Sequence, residues 1–151
     1  MEQRLPQAGA PIPKVLVDLL EFLSVLFSDV SYQVNEQEYY LEIPRKDGEV
    51  LLWIALDAEE LSLGFADWHN HYTIADGDAS LISAFYADLN ALLSNRAGVA
   101  CAFANNEGHW CGSMLIQAEN VNEEFLREEF GDNKVVRCSF WDAQNDRCYA
   151  L

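Results

Sequence analysis

"VLLWIALDAEELSLGFADWHNHYT", Val50 to Thr73, is the stretch whose reading decides the fold. Its first seven residues are apolar on both faces, the pattern of a strand covered on both sides. The turn "DAEE" follows. Then "LSLGFAD" alternates, with Leu61, Leu63 and Phe65 on one face. A period of two argues for strands here, in an antiparallel meander with its middle strand covered.

Just upstream, "EYYLEIP" alternates and closes on Pro44, and Asp47-Gly48 within "RKDGE" is a strong hairpin signal. "SYQV" before it is a further candidate for pairing. Nearer the N-terminus, Leu16, Leu19, Leu20, Leu23, Leu26 and Phe27 recur at helical spacing, which predicts an amphipathic helix ending near Ser28 to Ser31. Residues 1–13 read as an irregular, proline-rich lead-in.

Downstream of Thr73 the period changes. The run "DGDAS", Asp76 to Ser80, offers N-cap side chains and acids suited to a helix dipole. Leu81, Ile82, Phe85, Tyr86, Leu89, Leu92 and Leu93 supply that helix with an apolar face, and Asn95 to Gly98 ends it. "VACAFA" and "WCGSMLIQ" then pair across "NNEGH". A short acidic helix is expected within "ENVNEEFLREEFGDN", and "KVVRCSFWD" with "RCYAL" closes the chain as a hairpin. The expected architecture is α+β: one antiparallel sheet of about five to seven strands, with two main helices packed on one face. At 151 residues this is one domain, able to bury about two thirds of its unfolded surface.

Charge bounds the function. Twenty-five Asp and Glu face nine Lys and Arg, a formal net charge of −16. From Asp47 to Asn95 there are nine acids and no base. Such a field repels phosphate backbones and anionic lipid, so neither nucleic acid nor membrane is an expected partner. It favours encounter with a basic protein. The N-terminus lacks the apolar core of a signal peptide, and the expected location is the cytoplasm. The four cysteines show no CxxC spacing, so no zinc ribbon is indicated and small, partly buried apolar roles are expected.

The end of the opening stretch concentrates the chemistry. On a strand, Asp67, His69 and His71 share one face, with Trp68, Asn70 and Tyr72 opposite. Three readings compete. His69 and His71 with His109 and Cys111 have the donor types of a tetrahedral zinc site in a metal-binding protein or small hydrolase. Asp67 beside a histidine, with Ser80 or Cys101 as nucleophile, has the parts of a base-orienter pair. Neither sits in an H-E-x-x-H frame, a nucleophile elbow or a phosphate loop. The third reading is a strand end decorated with aromatic and polar groups, residue types that carry binding energy at protein interfaces.

The segment "LSLGFADWHNHYT", an alternating strand running into aromatic-His-x-His-aromatic and then an acidic helix start, resembles small bacterial immunity proteins encoded beside polymorphic or contact-dependent toxins. The resemblance spans Glu49 to Leu93, and Trp68, His69, His71 and Tyr72 match its motif. It implies a compact cytoplasmic α+β or α/β module that is not an enzyme, needs no cofactor, and blocks one cognate toxin by stoichiometric binding. The expected partner-contacting residues are Asp57, Glu59, Glu60, Asp67, Trp68, His69, His71, Tyr72 and Asp76. A second acidic patch, Glu123, Glu124, Glu128 and Glu129, reads first as a solvated helix face.

Overall fold

The computed structural model describes residues 13–35, 37–57, 59–74, 79–104 and 108–151, the side chains of 79–81 excepted. Helix α1 (Lys14–Leu26) leads into five strands: β1 (Gln33–Asn35), β2 (Tyr40–Pro44), β3 (Leu51–Leu56), β4 (Glu60–Phe65) and β5 (Trp68–Thr73). Helix α2 (Ala79–Leu93) follows, then β6 (Ala97–Ala104), β7 (Trp110–Gln117), α3 (Glu123–Phe130), β8 (Lys134–Ser139) and β9 (Arg147–Ala150). The fold is α+β. It contains two antiparallel sheets among the described residues, a five-stranded one ordered β1-β2-β3-β4-β5 and a four-stranded one ordered β7-β6-β8-β9.

The expectation of a single sheet of five to seven strands is therefore corrected to nine strands in two sheets. The division follows from where apolar surface must go. In the first sheet Leu41, Ile43, Leu52, Ile54, Leu61, Leu63, Phe65 and Tyr72 point one way and are buried. Leu16, Leu19 and Leu23 of α1 and Phe85, Leu89, Leu92 and Leu93 of α2 complete the same core. In the second sheet β6 is apolar on both faces. Val99 and Cys101 of β6 enter that first core, while Ala100 and Ala102 pack with Val136, Cys138, Leu126 and Phe140 in a second core. A strand buried on both sides needs cover on each face, so β6 sits between β7 and β8 with a core on either side of it.

Local chemistry explains the ends of the elements. Gly48 takes φ +74° in the β2–β3 hairpin, as the Asp-Gly signal required. Asn122 caps α3 by accepting from the Phe125 N–H at 2.9 Å, and Glu123 and Glu124 fill its first turn. Helix α1 is shorter than its pattern, and Leu26, read as core, is 58% exposed because the helix turns its last residue outward.

One buried ion network ties the two sheets together. Arg45, 4% exposed, continues the inward parity of Leu41 and Ile43 just past β2. Its Nε and Nη2 donate to the two Asp47 carboxylate oxygens at 2.9 and 2.6 Å. Its Nη1 donates to Asp146 at 2.8 Å and to the Phe140 carbonyl at 2.9 Å. The Arg45 guanidinium holds the Asp47 carboxyl below the usual carboxylate range. Asp146 also accepts from the Phe140 N–H at 2.8 Å, so the turn entering β9 is anchored to the β2–β3 hairpin. No helix among the described residues is long and apolar enough to cross a membrane.

Candidate functional site

The chain reverses at Ala66 and Asp67, where Ala66 takes φ +52° and Phe65 pairs with Trp68. "WHNHYT" is therefore an edge strand in its own right, β5, and not the continuation of β4. The sequence showed no Asn-Gly or Gly-rich pair there, so the two-residue reversal was invisible to turn chemistry. Alternation along β5 then sorts the motif. Tyr72 is 3% exposed and donates to the Asp88 carboxylate on α2 at 2.5 Å. Burial, then the hydrogen bond to Asp88, raises the Tyr72 hydroxyl far above its ordinary pKa, so it stays a donor. Trp68 is half-buried against the first core. Tyr72 thus leaves the partner-contacting set: it ties a strand to a helix. His69 and His71 lie on the opposite, exposed face.

His71 is held by β4, not by its own strand. Its Nδ1 lies 2.7 Å from Glu60 Oε1 and 2.8 Å from Ser62 Oγ, and Ser62 is its cross-strand partner. Ser62 also donates to Glu60 at 3.5 Å. Serine, histidine and acid are thus together, but both contacts fall on one ring nitrogen. Proton relay from a serine to an acid-oriented histidine uses the two nitrogens separately. The arrangement is a polar clasp on the strand, without that relay geometry. Asp67, expected to orient a histidine, sits in the reversal, where its carbonyl accepts from Ser113 Oγ at 3.1 Å. Cys101 is buried, and burial pushes its thiol pKa up, which suppresses the nucleophilic thiolate. The Ser80 side chain lies outside the described residues.

The four donors His69, His71, His109 and Cys111 do not assemble. Among the described residues no group of three or more His, Cys, Asp or Glu is placed to hold a metal ion. Cys111 is exposed on β7, and its thiol contacts the His109 carbonyl at 3.4 Å.

The expected acids also separate. Asp57 and Glu59 occupy the β3–β4 turn and Glu60 opens β4, whereas Asp67 lies at the far end of the same strands. A six-residue strand spans roughly 20 Å, so these are two clusters rather than one. Asp76 lies outside the described residues. Glu123, Glu124, Glu128 and Glu129 are exposed on α3, with Phe125, Leu126 and Phe130 turned to the second core.

The largest feature of the outer face is one the sequence reading missed. "VLLWIAL" was expected to be covered on both sides, but only Leu52 and Ile54 are buried, and Leu51 is 36% exposed. Trp53 points outward and lies over Gly64, its cross-strand partner: a Cβ on Gly64 would come 2.0 Å from the indole Cε2. The Tyr40 ring lies 6.3 Å away at 22°, and His69 lies 6.2 Å away at 35°. His71 continues the row edge-on, 5.1 Å from His69. Four rings thus cross the face from β2 to β5. Glu42 pairs directly opposite Trp53. The paired residues of β1 to β5 include no Lys or Arg; Lys46 lies in the β2–β3 turn. The signal available beforehand was a glycine facing a tryptophan, legible only once the register of β3 and β4 is known.

Comparison with protein-family models, with curated proteins and with solved structures finds no match to this chain.

Proposed function

We propose that this chain is a non-enzymatic, cytoplasmic, immunity-type binding protein that neutralises a basic toxin domain by one-to-one association through the outer face of the five-stranded sheet. One observation carries the reading: among the described residues no helix packs on that face, while two helices pack on the other, and its strands bear a row of rings and carboxylates without Lys or Arg. Aromatic rings give contact area at low entropic cost, and acids steer a cationic partner toward it. Glu60 contacts His71 at one end of the row, with Asp57 and Glu59 in the adjoining β3–β4 turn, and Asp67 lies in the β4–β5 reversal at the opposite end of the strands. The net charge of −16 sets the long-range field in the same sense. Four free cysteines suit a reducing compartment.

The test is association with the protein encoded immediately upstream, which this reading expects to carry the toxin domain. A one-to-one complex is expected, its on-rate falling with salt and falling by about tenfold in Glu59→Lys with Glu60→Lys. Absence of any complex, or a complex whose rate ignores both salt and charge reversal, overturns the reading.

A further inference from the structure

Most partly buried apolar residues of this chain pack against one of its two cores, but Trp53 and Tyr40 pack against neither. The indole is instead laid on the backbone at Gly64, where any side chain would evict it. One π-face is thus spent on the sheet, and the other is left on the surface. Glu42 stands beside it on both counts that geometry allows: it is the cross-strand partner of Trp53, with Cβ atoms roughly 5 Å apart, and it follows Tyr40 by two residues on the same face. The Glu42 carboxylate meets the Tyr40 hydroxyl, whose pKa is raised by burial first and by that carboxylate second. Among the described residues no Lys or Arg forms an ion pair with Glu42. The β2–β3 hairpin nearby offers Arg45, already committed in the interior, and Lys46 in the turn.

From these positions we propose that Tyr40, Glu42 and Trp53 form a receptor for an arginine side chain presented by the basic partner. The assignment rests on the function proposed above and names the group that the sheet grips. A guanidinium is planar and weakly hydrated, so it stacks on an indole while its edge donates to a carboxylate. An ammonium makes the ion pair but loses the stack. Other occupants fit less well. An apolar segment desolvates Glu42 without a partner, and a second copy of this chain brings a second charge of −16.

The experiment uses the full chain and an arginine-rich octapeptide, with a citrulline octapeptide of the same order as control. The indole N–H resonance of Trp53, identified by its loss in Trp53→Phe, is followed by NMR at fixed ionic strength. A saturable shift is expected with arginine and none with citrulline. Glu42→Gln, a change of charge at nearly constant shape, weakens binding about tenfold, and Trp53→Ala weakens it at least as much. Glu123→Gln with Glu124→Gln on α3 changes it by less than about twofold. Equal binding of citrulline overturns the assignment. So does equal weakening by the α3 pair, or self-association that covers Trp53 in sedimentation. A toxin complex indifferent to Glu42→Gln and Trp53→Ala ends the arginine receptor and spares the function. Arginine binding without any toxin complex does the reverse.

Discussion

The two faces of the five-stranded sheet are written by the same residues in alternation, yet they obey different physics. Leu61, Leu63 and Phe65 of β4 are at most 1% exposed and meet two helices. Between them Ser62 and Gly64 face out, one clasping His71 and the other supporting an indole. Burial stabilises the inner face by about 1.5–3 kcal/mol per large side chain, whereas exposed polar pairs are worth under about 1 kcal/mol. Selection on stability is thus concentrated on one face, and the other is free to be shaped for recognition. A residue's parity on its strand decides which applies.

Substitutions that cross this division test it. Leu63→Ala, at a fully buried position, is expected to cost about 3 kcal/mol or more in urea unfolding, with arginine-peptide binding unchanged in the folded fraction. A cost under about 1 kcal/mol removes the claim that this face carries the fold. Arg45→Met is expected to cost about 3 kcal/mol, because Asp146 and the Phe140 carbonyl lose their donor. The same network predicts acid sensitivity. The folded Asp47 carboxyl titrates below its ordinary 3.8, so its contribution is complete above that value. It disappears as pH falls through the lowered range. Asp47→Asn should flatten the acid limb of the stability–pH curve, and an unchanged limb places the proton uptake elsewhere.

Smaller effects sharpen the boundary. Tyr72→Phe deletes the bond to Asp88 and should cost about 1–2 kcal/mol while leaving partner binding intact, since Tyr72 faces inward despite lying in the His-x-His motif. A binding loss without a stability loss reverses its placement. Ser62→Ala is expected to change stability by less than about 0.5 kcal/mol, and imidazole NMR should still report the His71 contact with Glu60. A large loss there means the outer clasp is structural after all.

How far the candidate site was legible depends on the range of the contact. His69 and His71 sharing an exposed face followed from alternation alone, because the period of a strand is two. Glu60 was picked for its charge, but its place against His71 depends on β4 and β5 being separate antiparallel strands. That in turn hangs on a reversal at Ala66-Asp67 with no glycine to announce it. Trp53 was passed over because an apolar heptapeptide reads as buried on both sides, and Tyr40 and Glu42 because nothing local says which face of the alternating "EYYLEIP" the helices will leave open. Asp146 lies 101 residues from Arg45, beyond any pattern a window can hold.

The chain by itself determined the α+β class, the places of its three helices, and the acidic field, since periodicity, turn residues and summed charge are properties of neighbouring residues or of composition. Only the tertiary structure decided that the strands divide into two sheets, that β6 is buried between two cores, and that four rings cross the sheet face on which no described helix packs. Those outcomes depend on which apolar surfaces bury one another, a sum over contacts between residues far apart in the chain, and that sum is taken only when the whole molecule is assembled.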